Sequence, residues 1–371
     1  MNTKRIEPQR GVARLAPYAP GTPIEEVQRK YGLKSEEIVK LASNENPLGA
    51  SPKALAAMEQ ALRGVNLYPD SQSYHLRQAI GAHHGFDMEY VAVGNGADGL
   101  ILQVCMAYLD EESQAIVSRS SFPVYDRAIH TMRAELIKTP LTPDYRLDLE
   151  AMAQAITPRT KLVFICNPNN PTATIVTRDE VEAFMRRVPN HVLLIFDEAY
   201  YEYVKAEEYP DSLQYIREGR SNVMTMRTFS KAHGLAGVRL GYAIADPAVL
   251  APLYQVKGVF EVNRLAQAAG IAALDDTEFI SRSVEMTWAG RRDLYRAFTR
   301  LGLSYIESHT NFILVEIGPQ AVEVQQKLLA QGVIVRPCVG YDLPNFLRIS
   351  IGDPDQNRRL VETLEVVLAH H

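Results

Sequence analysis

Short, nearly continuous apolar runs recur through the first two thirds of the chain, at 91–93, 115–117, 162–166, 192–196, 223–226 and 238–245. A run that is apolar on both faces suits a strand buried in a parallel sheet. Between the runs lie helix-start signals. Thr22-Pro23-Ile24-Glu25 reads as N-cap, proline at N1 and an acid at N3. Ser51-Pro52 opens a further helix that Gly64 ends, and Thr177-Arg178-Asp179-Glu180 is a capping box. Asp246-Pro247 and Asp353-Pro354 repeat the cap-then-proline pattern. Strands alternating with helices predict an α/β fold with a doubly wound, mostly parallel sheet. From 262 to 300 the pattern is helical and charged, with no strand. Strands are expected at 311–316, 333–337 and 346–350, followed by a C-terminal helix. These form a second, smaller α+β domain. The expected organisation is an arm over 1–44 that packs with the small domain or a dimer partner, a large domain over 45–262 and a small one over 263–371.

Composition narrows the class without changing the fold. At 371 residues, 46% hydrophobic and 22% charged, the chain reads as an ordinary soluble globular protein. A formal charge of −5 provides no basic field for nucleic acid or anionic lipid. No apolar run approaches the roughly 18 residues of a membrane helix. The polar N-terminus does not resemble a signal peptide. Cys105, Cys166 and Cys338 lack paired metal spacing, so a cytoplasmic location with no metal is expected. His75, His83, His84 and His233 show no ligand spacing and are expected to be structural or exposed.

The polar residues that change the picture follow the apolar runs, where open α/β sheets bind ligands. Thr228-Phe229-Ser230-Lys231 is followed by Gly234, Gly237 and Arg239. A desolvated lysine can condense with an aldehyde, and Arg239 with Ser230 suits a phosphate. Asp197 ends the run at 192–196, where a carboxylate is costly unless it meets a cation. A protonated pyridine nitrogen is such a cation; a structural ion pair is the competing reading. No P-loop is present to support a Mg²⁺ carboxylate. Asn167-Pro168-Asn169-Asn170-Pro171-Thr172 has the composition of a plain turn, but Asn170 and Tyr200 could both hold a phenolic oxygen. Gly94-Asn95-Gly96-Ala97-Asp98-Gly99 opens a helix whose backbone amides suit phosphate. It nearly matches a dinucleotide fingerprint but lacks the acidic ribose anchor. Phe122 could stack on a planar ring or be core. Arg348 and Arg336, within apolar strands, call for an anionic partner.

Together these segments resemble the fold-type I pyridoxal 5′-phosphate enzymes, and within them the histidinol-phosphate aminotransferase family. The markers are Leu41-Ala42-Ser43-Asn44-Glu45-Asn46-Pro47, Tyr68-Pro69-Asp70, the segment 167–172, Asp197-Glu198-Ala199-Tyr200, and Ser230-Lys231 with Arg239. The resemblance implies catalytic roles for Lys231, Asp197 and Tyr200. Lys231 holds the cofactor as a Schiff base and shuttles protons, and Asp197 pairs with the pyridine nitrogen. Asn170 and Tyr200 bind the phenolic oxygen, and Phe122 stacks on the ring. Ala97, Asp98, Thr228, Ser230 and Arg239 bind phosphate. Tyr68 reaches a partner subunit's cofactor, so a homodimer is implied. Arg348 grips the substrate carboxylate, and Tyr18, Asn46 and Arg336 face substrate.

The implied reaction is ping-pong transfer from histidinol phosphate to 2-oxoglutarate, an amino donor and a 2-oxo acid acceptor. An aromatic amino acid aminotransferase and a decarboxylase of a phosphorylated amino acid are the alternatives. The chain departs from the family pattern at Ala173 and Asp342, where glycine is frequent, and at Gly99, where an acid is common. Lys257-Gly258-Val259-Phe260-Glu261-Val262-Asn263-Arg264 also replaces a less charged segment.

Overall fold

The computed structural model describes residues 6–13, 15, 17 and 21–369. Strand β1 (Val39–Lys40) lies near its start. Next come β2 (Val91–Gly94), β3 (Gln114–Ser118), β4 (Glu135–Thr139) and β5 (Thr160–Cys166). They are followed by β6 (Leu193–Asp197), β7 (Val223–Thr228) and β8 (Gly241–Ala245). β2 to β8 form one sheet in the order β2-β8-β7-β6-β5-β3-β4. It is parallel except for β8, which runs antiparallel to both β2 and β7. Five of these strands, β2, β3, β6, β7 and β8, are buried along their whole length, as the double-faced apolar runs require.

Two expectations shift here. β4 was not anticipated, because Glu135 and Lys138 are exposed at the sheet edge and break the apolar run. β8 begins at Gly241 because residues Ala236–Val238 form a short 3₁₀ turn.

The cap signals fall where the side chains demand. Ser51 Oγ accepts from Ala54 N at 3.2 Å and opens the helix Pro52–Ala61. Thr177 and Glu180 complete a capping box, with Thr177 N donating to the Glu180 carboxylate at 2.7 Å. Asp246 and Asp353 cap the helices Pro247–Val256 and Pro354–Ala369. At the first signal the helix starts one residue late: Pro23 is the N-cap of Ile24–Tyr31, and no side chain caps it.

The expected helical stretch is two helices, Arg264–Leu274 and Thr277–Arg300. The first lies beyond 262 yet shares the core of the large sheet, with Ala266, Ala269 and Ala273 packed against Pro52–Ala61 and Tyr74–His84. The smaller sheet contains β9 (Ser304–Tyr305), β10 (Phe312–Glu316), β12 (Arg336–Pro337) and β13 (Phe346–Ser350), in the order β12-β13-β10-β9. β11 (Val333–Ile334) pairs with β1, which ties the N-terminal segment to this part of the molecule. The single strand expected over 333–337 is therefore split between two sheets. Among the described residues no helix is long and apolar enough to cross a membrane.

Candidate functional site

The carboxyl ends of β5, β6 and β7 bring Cys166, Asp197 and Thr228 into line, and Cys166 pairs in register with Asp197. The start of the helix Gly96–Tyr108 and the loop after β7 close one side. Ser43, Asn44, Arg336, Tyr341 and Arg348 close the other. Between them lies a cavity of about 260 Å³. It is lined by Lys231, Asp197, Tyr200, Asn170, Phe122, Ala97, Asp98, Thr228, Ser230, Arg239, Arg336 and Arg348. Residues read from distant parts of the sequence thus converge on one space.

Its two ends differ chemically. At one end the Arg239 guanidinium lies 3.1 Å from Asp98 and beside Gly96, where a Cβ would come within 2.4 Å of Nη2. Only glycine lets Arg239 approach the helix start. Thr228 Oγ1 donates to Ser230 Oγ at 3.0 Å. Hydroxyls, a guanidinium and the first amides of a helix are groups that would suit a phosphate dianion.

At the other end Asp197 is buried. It accepts a hydrogen bond from Tyr125 Oη at 2.5 Å and one from Ala199 N at 3.3 Å. Those are its partners among the described residues, and no ion pair reaches it. Burial pushes its pKa up to about 6, against the lowering effect of the Tyr125 hydrogen bond. A carboxylate held in such a place is stabilised by a cation, which a protonated pyridine nitrogen supplies. Pyridoxal 5′-phosphate therefore fits: phosphate at one end, ring nitrogen at the other.

Lys231 lines the same cavity. Its Nζ donates to Ser43 O at 3.3 Å and sits 5.6 Å from the centre of the Tyr200 ring. Burial lowers its pKa to about 8, with the Arg348 charge adding to the effect. Near-neutral pH therefore leaves a usable fraction as free amine, the nucleophilic form. Arg348 Nη1 donates to Asn170 Oδ1 at 2.6 Å and Nη2 to Ala42 O at 2.7 Å. Asn170 thus has its amide group oriented by the arginine. Glu198, next to Asp197, forms a separate buried ion pair with Arg227 at 2.8 Å.

Other expected residues are placed differently. Asn46 does not line the cavity: its Nδ2 donates to Ala232 O at 3.0 Å and to Ser283 Oγ at 2.7 Å. The turn at Asn44, with φ +55°, sends the chain away, so Asn44 and not Asn46 faces inward. Tyr68 is 78% exposed, stacked 4.4 Å from Phe260, and does not line this chain's cavity. Tyr18 lies outside the described residues. Of the histidines, His84 bonds Tyr242 Oη at 2.8 Å and His233 is buried.

Sequence reasoning missed Tyr125, Asn44, Tyr341 and Cys166. Tyr125 lies in the first turn of the helix Val124–Thr131, three residues after Phe122, which stays outside that helix. Cys166 and Tyr341 carried no local signal, and Asn44 stood only within the marker segment 41–47.

The departures prove to be accommodated. Glu261 Oε1 accepts from Asn95 N at 3.3 Å, and Oε2 accepts from Gln103 Nε2 at 2.5 Å. A Cβ on Gly99 would lie 3.1 Å from the same carboxylate. A carboxylate from 261 therefore stands beside position 99, at the same helix start. Gly99→Glu alone should crowd two carboxylates and destabilise the protein by about 1–3 kcal/mol. Adding Glu261→Asn should recover more than half of the lost melting temperature; purely additive losses would show that the two positions do not share one role. Ala173 adopts φ +63° despite its Cβ and is fully buried. The left-handed cost of roughly 1–2 kcal/mol is offset in part by the burial of one methyl, about 0.8 kcal/mol. Asp342 likewise has φ +60°.

The comparisons agree with this geometry. The model of the family "Aminotransferase class I and II" matches residues 36–364. A histidinol-phosphate aminotransferase of Moorella thermoacetica is 46% identical over 96% of this chain and 91% of its own length. One from Akkermansia muciniphila is 45% identical over 96% and 97%. The crystal structure of histidinol-phosphate aminotransferase from Sinorhizobium meliloti, in complex with pyridoxal 5′-phosphate, superposes with a TM-score of 0.89 at 28% identity, covering 100% of both chains. With a cavity built around Lys231 and Asp197 and a match over most of its length, this chain belongs to the class I and II aminotransferases.

Proposed function

We propose that the protein transfers the amino group of histidinol phosphate to 2-oxoglutarate, with pyridoxal 5′-phosphate as cofactor. The observation that carries the reading is a single cavity holding Lys231, Asp197, a phosphate-binding end and two arginines. The relatives named above support the choice of substrate. When bound, the cofactor supplies an aldehyde for amines and a ring that withdraws electrons.

The chain's own residues do the rest. Ser230, Thr228, Arg239 and the amides of Ala97 and Asp98 would hold the phosphate, and Phe122 would bound the ring. Asp197 supplies the negative charge that keeps a ring nitrogen protonated, and Tyr125 holds that carboxylate in place. Asn170 and Tyr200 would donate to the phenolic oxygen. Lys231 Nζ, neutral in part near pH 8, would take up the substrate's Cα proton and pass it on to the cofactor side rather than back to Cα, so that the amino group stays behind. Arg348 and Arg336 offer planar donor forks to anionic groups, the carboxylates of one substrate and the phosphate of the other.

A homodimer belongs to the same reading. Tyr68 and Phe260 stack on the surface beside exposed Val65, Leu67 and Val259, a patch suited to a second copy. The arginine that follows, Arg264, ties this surface together through Tyr68 O at 3.0 Å.

The test is competition between amino donors. With 2-oxoglutarate as acceptor, kcat/KM for histidinol phosphate should exceed that for phenylalanine by about tenfold or more. A preference for phenylalanine would turn the assignment to the aromatic alternative and leave the family intact. Carbon dioxide release without a 2-oxo acid would point to decarboxylation. Separately, capture of pyridoxal 5′-phosphate by the cofactor-free protein should quicken with pH. Only the free amine attacks, so the rate should rise ~tenfold per pH unit below the Lys231 pKa of about 8 and level off above it. A flat profile between pH 6 and 9 would exclude Lys231 as the titrating nucleophile.

A further inference from the structure

We propose that Asn44 is a positioning residue that fixes the direction of the Tyr200 hydroxyl proton, so that Tyr200 enters the cavity as a donor. The inference rests on the reading of Tyr200 as a donor to the cofactor's phenolic oxygen.

Asn44 is 1% exposed, and all of its polar groups are engaged. Its N–H donates to Ser350 Oγ at 2.9 Å, and its carbonyl accepts from Asn311 Nδ2 at 3.0 Å. In the side chain, Oδ1 accepts from Ser350 Oγ at 3.0 Å, and Nδ2 donates to Tyr200 Oη at 3.0 Å. The orientation of the amide follows from counting protons. Ser350 Oγ already accepts from Asn44 N–H, so its single proton is free for Oδ1. The reverse orientation would give that hydroxyl two donors and leave its proton without this acceptor. Every proton is matched only with Oδ1 toward Ser350 and Nδ2 toward Tyr200.

An amide NH₂ can only donate. Tyr200 Oη must therefore accept from Asn44, and its own proton is left to point elsewhere. No other side chain among the described residues takes that proton. Burial pushes the tyrosine's ionisation upward, so the proton stays on the oxygen. Both residues line the cavity, which leaves the cavity as the proton's destination. The two residues that hold Asn44, Ser350 at the end of β13 and Asn311 before β10, come from the smaller sheet. Seating of that sheet therefore sets the polarity of a group on the larger one.

Asn44→Asp tests this because it keeps shape and reverses polarity. Aspartate tolerates the φ of +55° at this position. Its carboxylate accepts, and so draws the Tyr200 proton out of the cavity. The measurement is the pH titration of the visible absorbance of protein loaded with pyridoxal 5′-phosphate. A donor to the phenolic oxygen disperses its negative charge and weakens its hold on a neighbouring proton. Loss of that donor strengthens the hold, so the midpoint rises, by about one pH unit. Tyr200→Phe should raise it likewise, and Asn44→Asp should add little in the Tyr200→Phe background.

An equal shift from Asn44→Asp in both backgrounds would reduce its effect to added charge and overturn the proposal. So would an unmoved midpoint in Asn44→Asp while Tyr200→Phe shifts, a result that keeps the Tyr200 reading. A midpoint unmoved by Tyr200→Phe itself would instead remove that reading. Should Asn44→Asp lose its unfolding transition, Ser350→Ala takes its place. Without the hydroxyl that orients it the amide can flip, and the midpoint should move upward. An unmoved midpoint in folded Ser350→Ala overturns the proposal.

Discussion

Lys231→Ala is expected to abolish the visible absorbance of the cofactor-loaded protein and to lower turnover by ~10⁴-fold or more, the upper range for losing a proton-transfer group. On this reading the side chain is both the nucleophile and the proton carrier, and among the described residues no second lysine lines the cavity. The fold should survive. Lys231 Nζ has one hydrogen bond, to Ser43 O, and its pKa is lowered by burial from 10.5 to about 8. A lysine with a folded pKa below its unfolded value penalises the folded state. That penalty is fully present below pH 8 and is relieved as pH rises from about 8 toward 10.5. The cofactor-free alanine variant should therefore melt no lower than wild type at pH 7, with any advantage shrinking in alkali. Multiple turnovers by this variant would remove Lys231 from the chemistry. A collapsed melting temperature would mean the loss of activity reported unfolding.

Asp197→Asn is the second large effect. The amide has nearly the same shape and can still meet Tyr125, but it carries no charge. Removing one partner of a buried charge pair costs about 3–5 kcal/mol, which is a rate loss of roughly 10²- to 10⁴-fold if it is felt mainly at the transition state. Nearly full activity would defeat the argument that a charged ring nitrogen drives the reaction. Stability gives an independent reading. In the cofactor-free protein the pKa of Asp197 is raised by burial from 3.8 to about 6. The unfolded chain therefore gives up this proton first as pH rises. Stability should fall between about pH 4 and 6 and stay lower above that range. Asp197→Asn should remove that step from the pH–stability curve. Bound cofactor should shrink it in the wild type, because a cation then meets the carboxylate.

Much of this arrangement was readable from residue order. The run 192–196 is apolar throughout, so its strand had to be buried on both faces, and the acid that ends it had to meet a charge or hydrogen bonds. Lys231 and Arg239 follow a similar strand by a few residues, and a strand's carboxyl end is where such residues gather. The caps at Ser51, Thr177, Asp246 and Asp353 were legible because capping is satisfied within a few residues of the chain. β4 was not legible, since an edge strand can carry charge on its open side. The split of 333–337 was hidden too, because one apolar run can serve two sheets.

Local periodicity and side-chain chemistry alone determined the α/β class, the buried central strands and the chemical identity of Lys231, Asp197 and Arg348. They are properties of short segments, and a few neighbouring residues suffice to specify them. Only the tertiary structure decided between Asn44 and Asn46, brought Tyr125 to Asp197, and let Glu261 stand against the helix start beside Gly99. Each of those choices joins residues 72 to 306 positions apart, or depends on one backbone turn at Asn44. Such choices depend on contacts between elements far apart in sequence, which no window along the chain contains.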